Sequence, residues 1–324
     1  MRSFPRPIII VSKCLEFAAC RYNGQMIACP VVKQLKSLVE FKPVCPEMGI
    51  GLGVPRDPIR VIDGAGRRSL YQPSTGRDLT GAMADFSRDC LSKIGEADGF
   101  ILKARSPSCG IKDVKVYPGR EGHQASLAGK GAGFFGEKVL ELFPGLAIED
   151  EGRLESDGIR EHFLTKLYTL ADFRQVGKTG TTAKLVDFQL RHKLLLMAYS
   201  QKEMRALGKI AVNTLNLPWH ELVADYRTHL HAALARMPRA TANINVLMHA
   251  LGYCRDELSS TEKDFFLDQL TEYRREKLPL SAVIAVMRSW MARFKNEYLG
   301  RQSYFEPYPE QLSSVSDTGT GREL

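Results

Sequence analysis

An α/β domain built on a parallel sheet, followed by an all-α domain, is the architecture that this 324-residue sequence predicts. Two observations carry that expectation. Short apolar runs alternate with helical patterns over the first ~150 residues, as strand–helix–strand units require. From Arg160 onward the apolar spacing is helical throughout. The charge is also lopsided. Residues 178–301 hold 19 Lys and Arg against 12 Asp and Glu, so almost all of the net charge of +8 falls in the second half. The length exceeds what one ordinary core supports, and boundaries follow at residues 1–155, 156–310 and a polar, frayed tail over 311–324.

Taken in order, PIIIV (7–11) reads as a buried strand and residues 25–37 as a helix. VEFKPV (39–44) is a second strand and PIRVID (58–63) a further extended run. Leu79, Met83, Phe86, Cys90, Leu91 and Ile94 recur at helical spacing. GFILK (99–103) and DVKVY (113–117) are extended again. GKGAGFFG (129–136) reads as a flexible loop before a short helix, 137–142. The acidic stretch 149–157 is a junction, and GKTGTT (177–182) a hinge that lacks the spacing of a phosphate-binding P-loop. Helices are then expected over 185–199, 219–236, 243–254, 261–277 and 281–298, with Pro218, Pro238 and Pro279 near their starts. The N-terminal pattern is Rossmann-like. GIGLG (49–53) does not open a helix, and Pro55 soon interrupts it, so it is not a dinucleotide fingerprint.

Composition excludes some classes. At 44% apolar and 25% charged residues the chain is globular rather than disordered. No stretch approaches the roughly 18 consecutive apolar residues of a membrane span, so no membrane association is expected. The apolar run at the N-terminus is too short for a signal peptide, and the expected location is cytoplasmic. Seven cysteines there argue against a disulfide framework. No CxxC or CxxH pair announces a zinc finger. The basic excess suits a polyanion such as nucleic acid, or simply a soluble basic surface. No partner protein is implied.

Three cysteines share one placement. Cys14 follows PIIIV, Cys45 follows VEFKPV and Cys109 follows GFILK. Loops beyond the carboxyl ends of parallel strands converge on one crevice. Three thiols delivered there suit zinc or an iron–sulfur cluster, while scattered structural thiols remain the bland alternative. Cys90 and Cys254 lie in helical patterns. Cys20 and Cys29 lie on local turns.

The segments VSKCLEFAACRYNG, PVCPEMGIGLGVPR, GRDLT and ILKARSPSCG resemble, in order, the core motifs of the thiouracil desulfidase family, over roughly residues 8–120. EDEGRLESDGIREHF, HKLLLMAYS and the stretch from Asn243 through YLGRQSYFEPYP resemble the all-α YbgA-like domain often fused behind it. Together they resemble the two-domain bacterial desulfidases that remove sulfur from 4-thiouridine in tRNA. The resemblance implies a 4Fe–4S cluster on Cys14, Cys45 and Cys109, with one iron open to the substrate's sulfur. It implies catalytic roles for Glu47 and Ser106, and tRNA as substrate. Lys13 departs from the small residue common in the family, and Cys20 falls in a variable loop and is not counted as a ligand. Arg56, Lys103 and Ser108 border the expected crevice as substrate contacts. His192 and Lys193 are candidate RNA contacts on the first helix of the basic domain. The rival readings are a desulfidase of free thiouracil or another small thiolated base, a non-catalytic RNA-binding or regulatory iron–sulfur protein, and a zinc-binding module.

Overall fold

The strand Ile8–Ser12 (β1) is buried at every position, which is why its sequence is a continuous β-branched run rather than an alternating one. In the computed structural model, which describes residues 3–64, 66–119 and 128–313, it lies inside a four-stranded sheet. The helix Pro30–Leu35 (α1) leads to Glu40–Val44 (β2), whose end is capped at once by the short helix Pro46–Gly49 (α2). There follow Arg60–Gly64 (β3), Arg67–Gln72 (β4), Arg77–Asp78 (β5), the helix Thr80–Ser92 (α3) and Gly99–Leu102 (β6). Val114–Tyr117 (β7), Gly129–Gly131 (β8), the helix Phe134–Leu142 (α4) and Ala147–Asp150 (β9) complete the α/β part.

The first sheet runs β2-β1-β6-β9, all parallel. PIRVID and DVKVY, by contrast, do not join it. As β3 and β7 they form a second, mixed sheet in the order β5-β4-β3-β7-β8. The reason lies in connection length: β3 is followed after two residues by β4, too short for a parallel crossover but sufficient for an antiparallel hairpin. Ile10, Val61, Leu70, Met83, Phe100, Leu102, Phe135 and Val139 form a shared core in this part.

The helix Asp157–Thr179 (α5) carries the chain onward. It is followed by Thr182–Tyr199 (α6), Gln201–Val212 (α7), Trp219–Ala233 (α8), Ala240–Gly252 (α9), Ser260–Arg274 (α10), Leu280–Phe294 (α11) and Glu297–Gly300 (α12). The chain divides into two compact units, Phe4–Ala171 with the segment beginning at Glu310, and Asp172–Pro309. The division thus falls within α5 rather than at the acidic junction 149–157. The first turns of α5 belong with the sheet: Leu167 packs so closely on β6 that a Cβ on Gly99 would lie 3.0 Å from it, and Tyr168 meets Phe4 edge to face. Leu312 is buried in the single turn Glu310–Leu312. The remainder of the expected tail, 314–324, lies outside the described residues.

In the helical unit the core is Leu194, Leu195, Val246, Leu247, Phe266, Met287, Trp290, Tyr304 and Phe305 among others. Among the described residues no helix is long and apolar enough to cross a membrane.

Candidate functional site

Neighbouring strands aim their terminal loops at the same place. Ser12 of β1 pairs in register with Val44 of β2, so Cys14 and Cys45 leave the sheet side by side. β6, on the other flank of β1, supplies the loop that carries Cys109. Buried Ser12 ties the ends of β1 and β6 together: its hydroxyl accepts from the Lys103 amide at 2.9 Å. The three cysteines line one cavity of about 350 Å³, together with Ser12, Lys13, Glu47, Arg56, Lys103, Ser106 and Ser108.

The loop bearing Cys109 is held from behind. Its carbonyls accept the first amides of α4: Phe134 N donates to Pro107 O at 3.1 Å, and Phe135 N and Gly136 N donate to Ser108 O at 2.9 and 3.0 Å. These are the helix-start donors that need partners outside the helix. A Cβ on Gly133 would sit 2.6 Å from the carbonyl oxygens of Ser106, Pro107 and Ser108. GKGAGFFG is therefore a close-packed cradle, not a flexible loop, and its first residues form β8.

Glu47 lies in the first turn of α2, two residues beyond Cys45. One carboxylate oxygen, Oε2, receives Arg56 Nε at 2.8 Å and Nη2 at 2.6 Å. The other, Oε1, accepts Ser108 Oγ–H at 2.6 Å. Ser108 Oγ in turn meets Ser106 Oγ at 2.9 Å, and Ser106 Oγ accepts the Cys109 amide at 3.1 Å. A continuous chain thus runs Arg56–Glu47–Ser108–Ser106 along the cavity wall. The serine that touches Glu47 is Ser108, with Ser106 one hydrogen bond further on.

Two residues expected to contact substrate are engaged elsewhere. The Arg56 side chain is 6% exposed and spends its other donors on Gly53 O at 3.1 Å and Cys20 O at 3.0 Å. Lys103 is paired with Glu151, which also accepts the Ala104 amide at 2.6 Å. Both therefore hold the wall rather than offer an idle charge.

His192 is a clearer correction. It is 2% exposed, packs against the tilted Phe188 ring with centroids 4.2 Å apart, and is held between Asp172 Oδ2 and Ser303 Oγ, each at 2.8 Å. A side chain so enclosed cannot reach RNA. Gln302 completes the arrangement, accepting from Leu194 N at 3.1 Å and donating to Leu190 O at 2.8 Å. The QSYF part of YLGRQSYFEPYP is consequently a buried lock on α6. Lys193, the next residue, is exposed. Burial alone would raise the Asp172 carboxyl. Hydrogen bonds and charge from His192 and Arg191 outweigh that and hold it well below the usual carboxylate range.

One thiol of this cavity escapes sequence reading. Cys20 is buried and lines the same space as Cys45. The turn signal Tyr22-Asn23-Gly24 was available: Gly24 has φ +73°, and Ile27 N returns to Cys14 O at 2.8 Å, so the loop folds back over the site.

The donor set can be tested against a cofactor. Among the described residues no three His, Cys, Asp or Glu side chains are arranged to hold a single metal ion. Burial, then the neighbouring Cys20 and Cys45, pushes the Cys14 thiol up to about 12, and burial raises Cys109 well above its ordinary value. Thiols so shielded become thiolates only when a metal takes the proton's place. Soft sulfur donors around a cavity fit an iron–sulfur cluster.

Comparison with known proteins adds two family matches. Residues 9–151 match the model described as 2-thiouracil desulfurase, and residues 193–309 match a protein of unknown function, DUF1722. The uncharacterized protein YbgA of Escherichia coli is 30% identical over 154 residues, covering 46% of this chain and 90% of its own length. The uncharacterized protein YbbK of Bacillus subtilis is 34% identical over 110 residues, covering 32% of this chain and 73% of its own. Among solved structures, a 4Fe–4S-dependent thiouracil desulfidase, TudS, is 26% identical, covers 46% of this chain and 94% of that one, and has a TM-score of 0.36.

Proposed function

The chain belongs to the 2-thiouracil desulfurase family through residues 9–151 and to the DUF1722 family through residues 193–309, and from that premise we propose that it is a tRNA desulfidase that replaces the sulfur of 4-thiouridine by oxygen. The single observation that carries the chemistry is the sharing of one cavity by Cys14, Cys45 and Cys109 with the Glu47–Ser108–Ser106 chain.

Cys14, Cys45 and Cys109 would hold a 4Fe–4S cluster. When bound, that group supplies a thiophilic Lewis acid for the substrate's sulfur. Glu47 accepts the proton of the attacking water, directly or through Ser108. Arg56, gripping Oε2, leaves Oε1 as the working oxygen and fixes its direction. Ser106, at the far end of the chain, returns a proton to the ring. The overall exchange converts C=S and water into C=O and hydrogen sulfide, with no net electron transfer.

The tRNA part of the reading rests on the basic helical half. On α7, Lys202, Arg205 and Lys209 recur at i, i+3 and i+7 and are all exposed, a stripe that suits a phosphate backbone. Phosphate contacts would position the substrate, while the thiolated base must leave its stack to be reached. A second reading, free thiouracil, is supported by one fact: every residue lining the cavity belongs to the α/β unit.

The decisive experiment is anaerobic cluster reconstitution of the full chain. It is followed by an assay in which the thiouridine absorbance of tRNA disappears and sulfide is released. Glu47→Gln should keep the cluster and lose the reaction. A reconstituted protein that acts on free thiouracil but leaves tRNA untouched selects the second reading. One inert toward both overturns the desulfidase proposal.

A further inference from the structure

A fourth thiol stands in the cavity where three suffice for the reading above. Cys20 is not a surface residue that happens to be near. Its backbone is placed by a folded-back loop in which Ala18 N donates to Lys13 O at 2.9 Å and Cys20 N donates to Ala18 O at 2.8 Å. Two further bonds from outside the loop hold it there. Arg56 Nη2 donates to Cys20 O at 3.0 Å, and Arg56 N donates to Tyr22 O at 2.8 Å. The guanidinium that aims Glu47 therefore also sets the position of Cys20. The residue lines the cavity beside Cys14, Cys45 and Cys109 and is 5% exposed.

A buried thiol with no structural need of its own is usually a small hydrophobe. Cys29, in the same loop, is such a case: it is buried but does not line the cavity. Cys20 differs in facing three other sulfur donors and the base. Four soft donors around one void are the number that closes a 4Fe–4S cluster.

We propose that Cys20 is a displaceable fourth ligand, which covers the open iron in the resting protein and yields it to the substrate's sulfur. This rests on the desulfidase reading of the same site. Cys20 leaves with its electron pair and takes up one proton from solvent, while the substrate's sulfur forms the bond that Cys20 gave up. No oxidation state changes. When Cys20 returns, its proton departs with the sulfide that it displaces as hydrogen sulfide. The exchange needs only rotation of the Cys20 side chain, so the backbone that Arg56 holds stays in place with the other three ligands.

The test compares wild-type protein with Cys20→Ser and Cys45→Ser, each reconstituted anaerobically with iron and sulfide. The readout is spectroscopic. A cluster iron without a protein thiolate is the one most readily lost to a mild oxidant such as ferricyanide, giving a 3Fe–4S species visible by electron paramagnetic resonance. The expected result is that wild-type protein resists that loss, Cys20→Ser forms the 3Fe–4S signal readily, and Cys45→Ser fails to hold a cluster. Equal loss of iron from wild-type and Cys20→Ser proteins overturns the role of Cys20 and leaves the desulfidase reading intact. Failure of wild-type protein to hold any cluster overturns both.

Discussion

Ser108 donates its hydroxyl proton to Glu47 at 2.6 Å, across a sequence separation of 61 residues. The contact joins the turn after β2 to the loop after β6, two elements on opposite sides of β1, and makes the base and the Cys109 loop one unit.

If that contact conducts the proton, Ser108→Ala should retain the cluster and lower kcat by roughly 10- to 100-fold, the equivalent of losing one hydrogen bond to a charged group. Ser106→Ala should be comparably impaired, and the double variant no worse than about the more damaged single one, because serial members of one chain are not additive. Steady-state kinetics beside cluster absorbance decides the point. Additive losses would place the two serines in separate roles.

Gly133 is the position where the cradle has no room. A Cβ there lies 2.6 Å from three loop carbonyls that cannot all withdraw. Gly133→Ala should displace the Cys109 loop, with a cost on the order of 1–3 kcal/mol. Iron content per chain after reconstitution and urea unfolding are the measurements. Gly81, where added carbon would meet nothing, is the control: Gly81→Ala should be neutral or slightly stabilising.

Asp172 gives the helical unit a pH dependence. Its folded carboxyl lies below its unfolded value, held there by His192 and Arg191. The stability it contributes is therefore fully present above about pH 4, the unfolded range, and is lost as pH falls through the lower folded value. Denaturant midpoints followed from pH 7 to pH 3 should fall in wild-type protein. Asp172→Asn should be less stable at pH 7 and flatter over the acid range. A variant with the wild-type acid slope would remove Asp172 from this account.

The stripe on α7 predicts a salt effect. Changing Lys202, Arg205 and Lys209 together to Gln should weaken tRNA binding and reduce the slope of log affinity against log salt by up to about three. His192→Asn, in contrast, should lower stability without altering that slope. Binding isotherms at several salt concentrations distinguish the two.

Much of this protein could be read along the chain. The continuous apolar runs PIIIV and GFILK announced buried parallel strands, because only a strand covered on both faces tolerates them. Cys14, Cys45 and Cys109 shared a strand-end placement that local pattern expresses directly, and HKLLLMAYS announced a core helix through its apolar density. Less was visible in β4, β5 and β9, which are short and polar on one side, so that pairing rather than propensity makes them strands.

What one-dimensional reading could determine was periodicity, charge and the order of the loops, since these are properties of neighbours in sequence. Tertiary structure alone decided which atoms meet. It put Ser108 rather than Ser106 on Glu47, spent Arg56 on the wall, drew Cys20 into the ring of thiols and buried His192 against Asp172. Each of these is a long-range hydrogen bond or packing contact set by the register of a sheet or the return of a loop, and no local pattern encodes the distance between residues that the fold brings together.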